Sequence, residues 1–241
     1  MIDKRVASVD AALADVRDGM TIMIGGFGTA GMPSELVDAL ERQGSRDLTI
    51  VSNNAGNADA GLALLLKARR VRKIICSFPR QTDSWHFDKL YKEKSIELEL
   101  VPQGNLAERI RAAGAGIGAF FTPTGYGTLL AEGKETREIE GRKYVLEYPI
   151  HADFALIKAE RGDRWGNLVY RKTARNFGPI MASAARCTVA QVRTLVPLGE
   201  LDPESIVTPG IFVKRVVAID AADSRATAQP AAAISRPGAE A

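Results

Sequence analysis

The stretch from Asp18 to Pro33 constrains the fold more than any other part of this chain. Thr21 to Ile24 is a short apolar run of β-formers that opens into Gly25, Gly26, Gly28 and Gly31. Pro33 follows, a residue suited to the first turn of a helix. Leu36, Val37 and Leu40 then fall on one helical face, with Gly44 as a stop. The unit reads as strand, glycine loop, helix. In such a unit the free N–H groups of the loop and helix start face any anionic or carbonyl oxygen above the strand's carboxyl end.

Gly26, Gly28 and Gly31 also satisfy the spacing G-x-G-x-x-G, which marks a dinucleotide fold when an acid closes the second strand about 20 residues later. Here the second strand, Leu48 to Val51, runs into Ser52-Asn53-Asn54 and offers no carboxylate to a ribose hydroxyl. A nicotinamide site is therefore disfavoured. A Walker loop fails as well, because no Lys-Ser or Lys-Thr follows the glycines. A tight turn that holds no ligand is the plain alternative.

Strands and helices alternate along the rest of the chain. Ser8 caps a helix bearing Val9, Ala12, Leu13 and Val16 on one face and ending at Gly19. Helices are predicted around Leu62 to Arg69, Trp85 to Tyr91, Asn105 to Ala113 and Pro179 to Ala185. Strands are predicted at Lys73 to Phe78, Ile96 to Val101, Phe154 to Ala159, Leu168 to Tyr170, Thr188 to Val192 and Ile211 to Val217. Pro123, Gly125 and Gly127 break regular structure, and Arg137 to Glu147 reads as a hairpin turning at Glu140-Gly141. The fold class expected is α/β, an open and mainly parallel sheet made mixed by that hairpin, with flanking helices. Residues 1–220 are expected to form one domain, and 221–241, rich in Ala and Pro, a disordered tail.

Charge and cysteine usage exclude several function classes. The 32 basic and 29 acidic residues leave a net charge of +3, too small to demand nucleic acid and compatible with acidic small molecules. Lys67, Arg69, Arg70, Arg72 and Lys73 form the single basic cluster and read as a solvated helix end rather than a phosphate site. Cys76 and Cys187 are too far apart in sequence for a metal spacing, and a reducing compartment is expected. The start of the chain lacks the apolar core of a signal peptide, and Leu62 to Leu66 is too short to span a bilayer, so a cytoplasmic location without membrane contact is expected.

Taken whole, Asp18 to Pro33 resembles the signature of the α (A) subunit of class I coenzyme A transferases. Asp-Gly, three apolar residues, Gly-Gly-Phe, a further Gly and Pro stand at that signature's spacing. Val101-Pro102-Gln103-Gly104, Thr122-Pro123-Thr124-Gly125-Tyr126-Gly127-Thr128 and Ala174-Arg175-Asn176-Phe177 also resemble the family, and the likeness extends to about Ala218. Ser52 to Asn57, Cys76 to Gln81 and Gly162 to Asn167 resemble the branch acting on 3-oxo acids. The resemblance implies that CoA is a substrate, not a resident cofactor. It implies binding by Gly25, Gly26, Phe27, Gly28, Thr29, Ala30 and Gly31, with succinyl-CoA as donor and 3-oxoadipate, or else acetoacetate, as acceptor.

Moving CoA between carboxylates needs a nucleophile that carries first an acyl group and then the thiol, and a carboxylate does this through anhydride and thioester intermediates. The resemblance implies a glutamate in a Ser-Glu-Asn-Gly motif of a partner β subunit. That motif does not occur in this chain. Glu132, in Ala-Glu-Gly, reads as a solvent-facing loop acid. Such a chain is expected to be inert alone. What it supplies is Gln103, which follows a strand at the carboxyl edge where its amide can meet a developing oxyanion. A water-bonded turn glutamine is the alternative, and the Pro-Gln-Gly context of the resemblance favours the oxyanion role. Arg80, just past another strand, is the candidate for the second carboxylate of 3-oxoadipate, against an exposed arginine that touches no substrate. His86 and His151 have no partner at catalytic or metal spacing, and Trp85 and Trp165 read as packing residues. Arg175 and Asn176 are open between the site and an intersubunit contact. A non-catalytic sensor of CoA esters on the same sheet is the alternative class.

Overall fold

The computed structural model describes residues 2–219; the tail expected at 221–241 lies outside them. In chain order the elements are α1 (Val9–Ala12), β1 (Thr21–Ile24), α2 (Ser34–Gln43), β2 (Leu48–Val51), α3 (Leu62–Lys67), β3 (Val71–Cys76), α4 (Trp85–Lys92), β4 (Glu97–Leu100) and α5 (Gln103–Gly114). There follow β5 (Phe120–Thr122), β6 (Thr136–Ile139), β7 (Arg142–Glu147), β8 (Ala152–Gly162), β9 (Leu168–Val169), α6 (Gly178–Ala184), β10 (Ala185–Leu195) and β11 (Arg215–Ala218).

The main sheet runs β11-β10-β8-β1-β2-β3-β4 with every neighbouring pair parallel, and β9 adds to β8 antiparallel. Alternation along the strands feeds two cores, as a buried sheet requires. Ile22, Ile24, Leu48 and Ile50 face Leu36 and Leu40 of α2, Leu62 and Leu65 of α3 and Phe87 of α4. Met23 and Val51 face the other way, toward Leu106 and Ile110 of α5 and Met181 of α6. The result is a three-layer α/β/α sandwich.

The structure corrects three expectations. The hairpin does not make the main sheet mixed: β6 and β7 join β5, unforeseen because its loop is rich in Gly and Pro, in a separate antiparallel sheet of order β5-β7-β6. Helix α1 is a single turn. Its Ser8 cap forms as expected, Oγ accepting from Ala11 N at 3.1 Å. The Ala12 carbonyl, which would accept from Val16 N in a continued helix, instead accepts from Arg215 Nη1 at 2.7 Å, and Val16 N bonds Leu13 O at 3.0 Å. Trp85 and Trp165 are exposed rather than packed. The basic cluster is taken up by ion pairs, Lys67 with Asp59, Arg69 with Glu93, and Lys73 with both Glu97 and Glu99.

Candidate active site

Strand β1 lies where the chain's connections part, β2 to β4 filling one side of it and β8, β10 and β11 the other. Such a switch point leaves a crevice beyond the carboxyl ends of the strands, and the glycine loop stands in it. Gly25 N is anchored to Leu156 O of β8 at 2.9 Å. Phe27 and Ala30 exchange backbone hydrogen bonds of 2.9 and 3.2 Å, so Gly28 and Thr29 form the tip of a tiny hairpin. Glycine at position 28 meets the positive φ of +59° that the tip imposes. The closure leaves the N–H groups of Gly28, Thr29 and Gly31 without a protein acceptor among the described residues.

The start of α2 is less open than the sequence suggests. The helix begins at Ser34, with Pro33 at its cap position. Leu36 N already donates to Oε1 of Gln191, a β10 residue only 1% exposed, at 3.2 Å. Gln191 Nε2 in turn donates to Glu35 Oε2. Free donors are thus on the loop, while the helix's first turn is partly closed by its own protein.

Residues 172–176 brace the loop from the β8 side. Asn176 Nδ2 donates to Ala30 O at 2.9 Å and to Thr173 O at 2.8 Å. A Cβ on Gly31 would lie 2.5 Å from Ala174 O, so only glycine permits this approach. Asn176 therefore organises the loop, and Arg175 lines a depression beside it with Phe27 and Ala30. A cavity of about 560 Å³ on the same side is lined by Lys158, Arg171, Lys172 and Arg193 together with Glu35 and Glu160; Arg193 lies 3.6 Å from Glu160, whereas Lys158, Arg171 and Lys172 form no ion pair within 4 Å among the described residues.

Across the loop, three strand ends are tied together. Gln103 is the first residue of α5, behind Pro102. Its Nε2 donates at 2.7 Å to Oδ1 of Asn53, which is 3% exposed and follows β2. The same Oδ1 accepts from Ser77 Oγ at 2.8 Å, and Asn53 O accepts from the N–H groups of Ser77 and Phe78 at 3.2 and 3.1 Å. Asn53, Ser77 and Gln103 thus fasten the ends of β2, β3 and β4. Above them is a cavity of about 500 Å³ lined by Phe27, Gly28, Asn53, Ser77, Phe78, Gln81 and Gln103. The glycine loop and Gln103 share this cavity. One hydrogen of the Gln103 amide is held by Asn53, and the other has no protein acceptor among the described residues.

Arg80 is not among the lining residues. Its Nε lies 2.7 Å from Asp88 Oδ1, and its guanidinium sits 5.4 Å from the centroid of the Tyr91 ring. His86 Nε2 is 2.8 Å from Asp59 Oδ1, and neither it nor His151 or Glu132 lines the cavity. Burial pushes the Cys76 thiol up to about 12, which removes it as a nucleophile at neutral pH. Among the described residues no group of three or more His, Cys, Asp or Glu side chains is arranged to hold a metal ion. The lining residues that the sequence does not single out are Asn53, Ser77 and Gln81, while Asn176, open between the site and an intersubunit contact, is placed against the glycine loop. The signal for the three lining residues is a polar side chain within a few residues of a strand's carboxyl end, inside the stretches Ser52 to Asn57 and Cys76 to Gln81 that carry the resemblance without assigning these residues a role.

A family model described as coenzyme A transferase matches residues 6–218. The chain is 69% identical over 229 residues to the A subunit of 3-oxoadipate CoA-transferase from Pseudomonas putida, covering 95% of this chain and 99% of that one. It is 48% identical over 215 residues to the A subunit of succinyl-CoA:3-ketoacid coenzyme A transferase from Helicobacter pylori (strain J99), covering 89% of this chain and 92% of that one. Among solved structures, glutaconate coenzyme A-transferase from Acidaminococcus fermentans shares the fold with a TM-score of 0.79 at 21% identity, over 90% of this chain and 76% of that chain.

Proposed function

The chain belongs to the coenzyme A transferase family, and from that premise we propose that it is the α subunit of an enzyme moving CoA from succinyl-CoA to 3-oxoadipate. The observation that carries the reading is the meeting of the glycine loop and Gln103 at one cavity, in a chain similar over nearly its full length to one half of a 3-oxoadipate CoA-transferase. Acetoacetate is the second acceptor to consider, because subunits of 3-ketoacid transferases are also near relatives.

In the reaction a glutamate carboxylate of the partner β chain attacks the thioester carbonyl of succinyl-CoA. The carbon–sulfur bond breaks, leaving a mixed anhydride and CoA thiolate, and the thiolate then attacks the glutamyl carbonyl and releases succinate. The acceptor carboxylate reverses these steps on the glutamyl–CoA thioester. Each attack places negative charge on a carbonyl oxygen, and the free hydrogen of the Gln103 amide stabilises it. The open N–H groups of Gly28, Thr29 and Gly31 bind the CoA ester, and Lys158, Arg171 and Lys172 favour its anionic groups. Two free cysteines fit a cytoplasmic setting, and among the described residues no helix is long and apolar enough to cross a membrane.

The test separates the two chains. Purified alone, this one is expected to show no transferase activity, and activity is expected once the β partner is added. Incubating the pair with succinyl-CoA, without acceptor, should leave a CoA thioester on a glutamate of the β partner, detectable by peptide mass. Turnover by this chain alone, or the thioester on one of its own residues, would refute the assignment.

A further inference from the structure

The cavity beneath the glycine loop contains no charged lining residue, yet the proposed acceptor carries a second carboxylate that distinguishes it from acetoacetate. We propose that Gln81, rather than Arg80, reads that distal carboxylate; this rests on the function proposed above. Arg80 is committed elsewhere, to Asp88 and the face of Tyr91, and its side chain is 55% exposed. Gln81, the next residue, turns into the cavity.

Asn57 and Ser84 hold Gln81 in place. Ser84 is buried, and its Oγ accepts from Gln81 N at 2.8 Å, which pins the backbone. The Ser84 hydroxyl faces Gly56 O at 3.4 Å and Asn57 Oδ1 at 3.5 Å, and Asn57 Nδ2 donates to Gln81 Oε1. The Gln81 oxygen is thereby satisfied, and its NH₂ group has no protein acceptor among the described residues. Asn53 presents a second NH₂ at the same cavity: its Oδ1 is used by Gln103 and Ser77, and its Nδ2 donates to no protein acceptor among the described residues. Phe27 and Phe78, 53% and 56% exposed, stand on the same cavity as apolar walls.

Neutral donors between aromatic walls suit a carboxylate that keeps part of its hydration in an open cavity, where no cation is needed to offset complete burial. They also discriminate. A dicarboxylate gains the amide's hydrogen bonds, whereas the methyl end of acetoacetate gains nothing from them.

The experiment measures kcat/KM of the assembled heteromeric enzyme for 3-oxoadipate and for acetoacetate. Gln81→Leu is expected to lower the ratio of the two by at least about tenfold. Gln81→Glu keeps an oxygen for Asn57 but sets a carboxylate against a carboxylate, and is expected to lower the ratio further. Arg80→Met is expected to leave the ratio within about twofold of wild type. An unchanged ratio in both Gln81 variants, or a selective loss in Arg80→Met, would overturn the inference while leaving the reaction intact. Failure of the wild-type pair to use 3-oxoadipate at all would overturn the proposed function and the inference with it.

Discussion

Gln103 and Asn53 are joined amide to amide, Gln103 Nε2 donating to Asn53 Oδ1 at 2.7 Å; in the proposed function the Gln103 amide bonds the ligand and Asn53 holds it in place. Gln103→Ala removes the donor and is expected to lower kcat by about 100-fold with little change in KM for succinyl-CoA, the pattern of an interaction made mainly in the transition state. Steady-state kinetics of the heteromeric enzyme would show this, and an unchanged kcat with chemistry rate-limiting would remove the role. Gly31→Ala forces a Cβ toward Ala174 O at a φ of +76°, and is expected to destabilise the chain by at least about 1 kcal/mol, read from its urea midpoint. The place of Gln103 behind β4 was legible in the sequence because strand, proline and glutamine are contiguous, while its role was supplied only by the resemblance. Asn53 was not, since its partners Ser77 and Gln103 arrive from later strands and only the folded sheet brings the three together. Arg80 and Gln81 show the same limit. Adjacent in sequence, they face different surroundings, and Asp88 and Asn57 decide which residue reaches the cavity.

Among the elements, β3, β4, α5 and β7 are joined by a chain of charges. Burial alone would raise the Glu99 carboxyl, but Lys73 and Arg109, each 2.8 Å away, outweigh it and hold the carboxyl below its ordinary value. Arg109 Nε also lies 3.6 Å from Glu147 of β7, whose other oxygen is 2.7 Å from Lys134. A carboxylate depressed on folding contributes stability that is complete above its unfolded value, about 4.3, and is lost as pH falls through the folded value. Urea midpoints followed from about pH 6 to about pH 3 should fall less steeply for Glu99→Gln than for wild type; parallel slopes would show that the pair adds nothing. Most elements were legible because their period and punctuation are local: the strand pattern fixed β1 and β2 to the residue, and Glu140-Gly141 marked the hairpin. What the hairpin pairs with was not legible, because pairing partners are chosen by the whole chain, and α1 was cut short by an arginine two hundred positions away.

For the molecule as a whole, the β1 crevice decides when the site comes into being. Ile22 pairs on one side with Ile50 and on the other with Phe154. The cavity that Asn53, Ser77 and Gln103 line is drawn from the first half of the chain, whereas the β8 anchor of Gly25 and the Asn176 brace on the loop come from the second. A ribosome adding about 5–20 residues per second exposes the first half on the order of ten seconds before the second. If β1 pairs with β2 in that interval, it has a partner on one edge only, and its other edge, with Ile22 and Ile24 in it, stands open to any passing strand. A nascent chain that folds in this order would hold half of its site while its central strand is still an edge.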